Sequence, residues 1–456
     1  MKKWLCSLLS ALVASALVQG EPASLALTNV TIIDTTGRQP GRRATVVIRG
    51  ERISEIGPPD APVPEGAEVV DGADKFLLPG LWDMHMHLSY MTEHSLPLLI
   101  ANGVTGVRDM GGDLEQIDRW REDINAGARI GPRIVRAGPV LDGPRPEEAK
   151  FRLIVKNPAE ARDTVAMLKK RGVDLIKVYH FLSRDSYFAI ADEAKKQGIP
   201  FAGHIPNGVA PREAAEAGQR SLEHVTVLLQ ALIALEKKEG RTSKELTAAA
   251  FDALEGETGA ALSAAMVKNG AWHTPTLVLA QSFLLRAELA AKPDDRRKYM
   301  APEVKELWDK NNPVPASVSP EEMAERKQGL QRMVGIVGRM HRAGVPMLAG
   351  TDPPTRDVFP GFSLHDELGL LVQAGLTPLQ ALQAGTLNAA KCLGLADSHG
   401  TVEKGKVADL LLLDADPVSD IANTQKIAAV IWGGKILPRP ALQGMLAKTE
   451  EAVKAK

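Results

Sequence analysis

Apolar and polar positions fall into three textures along the chain. From residue 25 to 70, "LALTNVTIID", "ATVVIRGERISEIG" and "AEVVDG" are rich in β-branched and apolar residues and are separated by Gly, Pro and polar turns, a pattern of strands. The same texture returns in "ADLLLLDADP" and "AAVIWGGKILP", so the two ends, 21–75 and 400–445, are expected to pair into one small β domain. Between them, short apolar segments alternate with longer Ala-, Leu-, Lys- and Glu-rich stretches of helical period, as repeated βα units would. Eight candidate strands occur there: 81–87, "VTGVRD" from 104, "RIVRAG" from 133, "DLIKVY" from 174, "PFAGH" from 200, "RSLEHV" from 220, "WHTPTL" from 272 and "VPMLAGTD" from 345. Eight such units make an α/β barrel over 76–399. Helical segments 158–171 and 185–197 run into Gly172 and Gly198, a common helix stop before the next strand. The charged, Ala-rich stretch 228–340 around the seventh candidate strand is too long for a loop, so extra helices walling or covering the barrel mouth are expected.

The chain's 456 residues leave room for such a barrel and an appended domain. Lys plus Arg, 55, nearly cancels Asp plus Glu, 56, which removes any general attraction to nucleic acid or an anionic membrane and favours small-molecule chemistry. The opening "MKKWLCSLLSALVASALVQG" has a basic start, a short apolar stretch, and Val18 and Gly20 placed for cleavage. It reads as a signal peptide, 1–20, giving a periplasmic or secreted protein without stable membrane insertion. Its removal leaves Cys392 as the one cysteine, which excludes an intramolecular disulfide and reads as a buried apolar side chain rather than a catalytic thiol.

Candidate chemistry begins in "LPGLWDMHMHL". In an extended strand, residues at i and i+2 point the same way, so His85 and His87 present two imidazoles to one object. In a parallel barrel, functional groups gather at the C-terminal ends of strands. Applied to the eight candidates, that rule selects His85, His87, Lys177, His204, His224 and Asp352. Singly, each has a structural alternative: a buried lysine pairs with a carboxylate, a strand-end histidine bonds a carbonyl, an aspartate before Pro353 caps a turn. Their convergence on one face is what points to a metal site. Tyr179 and His180 follow the lysine and His365 begins a helix after the eighth strand, which makes these three candidate substrate contacts. Arg108, beside Asp109, reads as half of a structural ion pair and His273 as packing.

These segments resemble the amidohydrolase superfamily, particularly the branch with imidazolonepropionase-like and Xaa-Pro dipeptidase-like members. The resemblance is carried by "LPGLWDMHMHL", "NGVTGVRDMGG", "VDLIKVY", "FAGHIPNGVAPREAAEAGQRSLEHV", "VPMLAGTDPP", "SLHDELGLLVQAGLTPLQAL" and "GTVEKGKVADLLLLDADP", in this order over nearly the whole mature chain. It implies a distorted (β/α)8 TIM barrel beside a small β-sandwich domain formed by the N- and C-terminal segments. It also implies two divalent metal ions, usually zinc, bridged by a carboxylated lysine and a hydroxide. Mapped here, His85, His87 and Asp352 would hold one ion, His204 and His224 the other, and Lys177, as its carbamate, both. Chemically, an amine kept neutral by desolvation adds carbon dioxide to become an anionic bridge. Asp352 would be the catalytic proton carrier, from the nucleophilic water to the leaving nitrogen. Two departures narrow the reading. Pro206 stands where many relatives have a second histidine, and Asn207 where the deaminase branch has glutamate, which disfavours deamination. "GTVEKGKV" approaches a phosphate-loop pattern but has Val407 in the Ser/Thr place and leads into a strand, so it reads as a turn.

The expected function is therefore an exported, metal-dependent amidohydrolase acting on a peptide or N-acyl amino acid, prolidase- or dipeptidase-like. The alternative is a cyclic amide, lactone or ester hydrolase of the same superfamily. A non-catalytic binding barrel is the remote one, disfavoured because every metal position is filled by a competent residue. The expected partner is a small substrate and not nucleic acid, with homo-oligomerisation left open.

Overall fold

The computed structural model describes residues 24–38, 41–145, 150–236 and 241–455, so the segment read as a signal peptide lies outside the described residues. Strands from both chain ends hydrogen-bond into one eight-stranded sheet. Its order is Lys435–Pro438, Ile427–Trp432, Leu410–Leu413, Phe76–Pro79, Ser24–Ile32, Arg42–Arg49 and Arg52–Gly57, with Glu68–Asp71 also pairing with Ser24–Ile32. Leu410–Leu413 forms a strand with both faces buried. Leu410 and Leu412 meet an apolar cluster with Leu27, Val46, Ile48 and Leu77, while Leu411 and Leu413 turn to the main core. Phe76–Pro79 belongs to this sheet, antiparallel to Leu410–Leu413, so the sheet reaches past residue 75.

The middle of the chain is α/β, with two parallel sheets. One joins Leu81–Met86, Val104–Asp109 and Arg133–Arg136. The other runs Arg152–Ile154, Val140–Asp142, Ile176–Val178, Phe201–Gly203, Ser221–Glu223 and Trp272–Thr274. Seven of the eight expected strands are thus present, most of them shorter than expected. The eighth, 345–352, makes only a bridge, Met347 to His273. It is held by backbone bonds from Leu348 N to His273 O (2.9 Å), from Met84 N to Ala349 O (2.9 Å) and from Asp352 N to His85 O (2.8 Å). Pro346 has no N–H to give a ladder, and Asp352 at φ 64 leaves the extended region. Val140–Asp142 and Arg152–Ile154 were not expected. At three residues each they are too short for a periodic signal, yet Val140–Asp142 is the direct neighbour of the lysine strand, with Leu141 opposite Val178.

Helix Pro158–Lys170 is capped by the Asn157 side chain, and helix Arg184–Gln197 starts on Ser183 and stops at left-handed Gly198. The 228–340 stretch is helical: Val225–Glu236, Ser243–Glu255 and Glu257–Asn269 precede the strand Trp272–Thr274, and Leu277–Ala290, Pro302–Asn311 and Pro320–Arg342 follow it. Met300, Val304 and Trp308 from this excursion pack with Met91, Phe359 and Val453, tying it to the C-terminal helix Arg439–Lys454. Among the described residues no helix is long and apolar enough to cross a membrane.

Candidate metal centre

His85 lies in Leu81–Met86 and His87 just beyond it, Lys177 lies within Ile176–Val178, and His204 and His224 each directly follow a strand. His85, Lys177, His204 and His224 are buried, and His87 and Asp352 nearly so. His224 and Asp352 both take φ 64, a region uncommon for residues other than glycine and one that aims a side chain where a regular strand would not.

Four second partners set the histidine tautomers. Nδ1 of His85 lies 2.8 Å from Glu223 Oε2, and Nδ1 of His87 lies 2.8 Å from the Gly111 carbonyl. Nδ1 of His204 lies 2.8 Å from His180 Nε2, and Nδ1 of His224 lies 2.7 Å from Thr276 Oγ1. The Thr276 hydroxyl itself donates to the Pro275 carbonyl, so it accepts from His224. Glu223 and the Gly111 carbonyl likewise only accept. For His85, His87 and His224 the Nδ1 therefore carries the proton and the Nε2 lone pair is free; the same holds for His204 when it donates to His180.

Those Nε2 atoms meet Asp352. His87 Nε2 is 3.3 Å and His85 Nε2 3.7 Å from Oδ1, and His224 Nε2 is 3.6 Å from Oδ2. Lys177 Nζ sits 3.2 Å from His85 Nε2. Two ligand triplets result, His85–His204–His224 and His85–His87–Asp352, each with donor atoms within 4.8 Å of one another. Burial, reinforced by neighbouring positive charge, drives the pKa of His85, His204 and His224 well below the usual range, so these imidazoles are neutral. Burial pushes Asp352 upward, but its charged and polar neighbours outweigh it and hold the carboxyl below its usual range. Burial lowers Lys177 to about 8.

The donor set fits divalent metal ions. Neutral imidazole nitrogens and an ionised carboxylate converge, and buried His224 Nε2 has no hydrogen-bond partner. Lys177 has no ion pair with a carboxylate among the described residues, although it is fully buried.

The other candidates separate. The Tyr179 ring lies 4.1 Å from that of His204, and His180 is engaged with the same histidine. His365 is not brought to the site. Its Nδ1 meets Thr424 Oγ1 at 2.9 Å and its Nε2 meets the Asn102 carbonyl at 3.0 Å, so both nitrogens serve packing and the expected substrate contact is corrected. Arg108 is half of a buried ion pair with Glu223, 2.8 Å, and His273 bonds the Leu222 carbonyl. Burial raises the Cys392 thiol to about 11, which leaves it protonated and unreactive.

Three residues escaped the sequence reading: Glu223, Thr276 and Asp83. Asp83 Oδ1 accepts from the N–H groups of His85 and Thr351, both at 3.1 Å, and so ties the first metal-site strand to the segment carrying Asp352. The available signal was adjacency, since Asp83 precedes His85 by two positions and Glu223 precedes His224 by one.

A model described as the amidohydrolase family matches residues 76–437. Ochratoxinase of Aspergillus niger is 25% identical over 431 residues, covering 80% of this chain and 76% of that protein. A solved structure of a Bifidobacterium longum protein assigned as a prolidase superposes with TM-score 0.69 and 26% identity, over 94% of this chain and 100% of that one. Bottromycin amidohydrolase superposes with TM-score 0.76 at 23% identity, over 95% and 91% of the two chains.

Proposed function

The chain belongs to the amidohydrolase family and is a hydrolase of carbon–nitrogen bonds, and from that premise we propose that it is an exported, two-metal amidohydrolase cleaving peptide or N-acyl amino acid bonds. The observation that carries the reading is the set of four histidines whose Nδ1 atoms are held from behind, three of which, His85, His87 and His224, turn Nε2 to Asp352, while His204 completes a ligand triplet with His85 and His224. His85, His87 and Asp352 would hold one ion and His204 and His224 the other, with Lys177 between them. Bound there, divalent ions supply Lewis acidity to a scissile carbonyl and lower the pKa of water; zinc suits the nitrogen-rich donor set.

The protein's own groups do the rest. Burial lowers the Lys177 pKa to about 8, which enlarges the fraction of neutral amine that can attack carbon dioxide and lose a proton to give a carbamate. Asp352 accepts a proton from the attacking water at a carboxylate oxygen and delivers it to the departing nitrogen, which cannot leave as an amide anion. Glu223, Gly111, His180 and Thr276 keep the imidazoles from turning during this transfer.

The wider reading includes the architecture. The two parallel sheets are read as a distorted (β/α)8 barrel, supported by the hydrogen bonds of 345–352 to His273 on one side and to Met84 and His85 on the other. The terminal sheet is read as a small β-sandwich around its own apolar cluster. Export rests on the N-terminal pattern "MKKWLCSLLSALVASALVQG". A prolidase-like substrate is supported by the likeness to the Bifidobacterium longum protein.

The test is a hydrolysis screen of the metal-reconstituted protein over dipeptides, N-acyl amino acids, cyclic amides and lactones, with elemental analysis of protein purified without chelators. Amide cleavage with close to two divalent ions per chain, both lost on chelation, is expected. Full activity in protein containing no metal overturns the reading, and turnover of lactones alone replaces the substrate class.

A further inference from the structure

A cavity opens at the end of the parallel strands opposite the metal centre. His204 and His224 directly follow their strands, whereas Arg133 begins Arg133–Arg136, and Leu175, Pro200 and Arg220 stand just before Ile176–Val178, Phe201–Gly203 and Ser221–Glu223. Those last four residues line one cavity of about 590 Å³. That volume suits a small organic molecule.

The wall is basic, and a charge count shows how much of it is spent. Arg108, Arg121, Arg133, Lys169 and Arg220 face the cavity, against the single carboxylate of Asp174. Arg108 is matched by Glu223 at 2.8 Å, and Arg133 by Asp409 and Glu51. Arg121 has Asp174 at 3.0 Å, but Arg136 shares that carboxylate at 3.3 Å, so Asp174 has no charge to spare. Lys169 and Arg220 are exposed and have no carboxylate partner among the described residues. Two positive charges are left over in a recess whose walls focus their field.

The floor is apolar. Trp82 and Cys392 are buried in one cluster, and Val135, Leu393 and Leu395 pack against it while staying only half-buried, so they keep surface for an apolar occupant. His399 closes this side, edge-on to Trp82 at 5.9 Å. Its Nδ1 meets Ser398 Oγ at 2.8 Å, whereas its Nε2 is buried with no partner among the described residues. Buried polar atoms are seldom left in that condition, which marks the wall as one that a ligand completes. Unmatched cations beside unfilled apolar surface call for an occupant with both characters. A bare inorganic ion would leave the floor uncovered, and a neutral molecule would leave the charges unused.

We propose that this cavity binds a free organic anion with an apolar body, its acidic head on Lys169 and Arg220 and its body on Val135, Leu393 and Leu395. The site is separate from the metal centre and does not depend on which bond the protein cleaves.

Calorimetric titration of the full chain with octane-1-sulfonate tests this, because a sulfonate is a poor metal ligand and is not drawn to the histidine cluster. Methanesulfonate supplies the head alone and octan-1-ol the body alone. The proteins are the parent, the double variant Lys169→Ser/Arg220→Ser, and Arg220→Lys. Octane-1-sulfonate is expected to bind the parent at one molecule per chain, at least about 10-fold more tightly than either control. The double variant should lose at least about 10-fold in affinity while Arg220→Lys, which keeps the charge, stays within about threefold of the parent. Both replaced side chains are exposed, so parental melting temperatures are expected and each variant can be titrated folded. Absence of binding to the parent, a control that binds as tightly as octane-1-sulfonate, or equal affinity in the parent and the double variant overturns the proposal.

Discussion

Glu223 and His85 are bonded side chain to side chain at 2.8 Å, both wholly buried and 138 residues apart in sequence. The other carboxylate oxygen of Glu223 takes Arg108 Nη2 at 2.8 Å and the Ser221 hydroxyl. Arg108 also donates from Nε to the Met84 carbonyl at 2.7 Å, so one guanidinium joins the strand carrying His85 to the strand leading to His224. Burial pushes Glu223 upward, but Arg108 and Lys177 outweigh it and keep it ionised. A carboxylate behind an imidazole raises its basicity and fixes its tautomer.

Replacing Glu223 with Gln is therefore expected to weaken metal binding by about 10- to 100-fold, since the acceptor shape survives and the charge does not. Competition with a chromogenic chelator measures it. Parental affinity in Glu223→Gln would show that the contact serves only packing.

Lys177→Ala is expected to lose at least about 100-fold in kcat/KM and to recover part of it with acetate or propionate, because a short carboxylate can fill the space of the missing side chain between two cations. Lys177→Arg is expected to stay inactive under the same conditions, as arginine keeps a permanent positive charge and cannot form a carbamate. Parental turnover by Lys177→Arg with both ions bound would make the lysine structural.

Glu367 gives a pH dependence of stability away from the metal site. Fully buried, with Oε2 accepting from Val278 N at 2.8 Å and Oε1 without a partner, it is pushed by burial from 4.5 to about 8. The folded state therefore holds a proton that the unfolded state has released above pH 4.5. The stability this group contributes is complete below that pH and falls as pH rises toward about 8. Glu367→Gln mimics the protonated acid and does not titrate. Its melting temperature relative to the parent should climb across that window and then level off, and a constant difference from pH 4.5 to 8 would mean the carboxyl is not protonated in the fold.

Gly106 faces Trp82 across neighbouring parallel strands, and a Cβ at that position would fall 2.3 Å from the indole ring. Gly106→Ala is expected to cost about 1–3 kcal/mol, because the indole must shift within a filled core. Chemical denaturation reads the loss, which should shrink in the double variant with Trp82→Phe.

The sequence alone was enough to identify the family, the α/β alternation and the six converging side chains. Each of these is written locally: apolar segments of period two, Gly172 and Gly198 closing helices, and histidines, a lysine and an aspartate at strand ends. Tertiary structure decided what stands behind those side chains. The bonds from Glu223 to His85 and from Thr276 to His224 span 138 and 52 residues, a separation that no local period encodes. The left-handed backbone at His224 and Asp352 lets neighbours that would alternate in a regular strand serve one centre, with Glu223 reaching His85 while His224 reaches Asp352. The same dependence on distant partners took His365 out of the site, to Thr424 and Asn102. Residue type and spacing determine which groups can bind a metal, but the direction each one faces is fixed by hydrogen bonds and packing that exist only once the strands lie side by side.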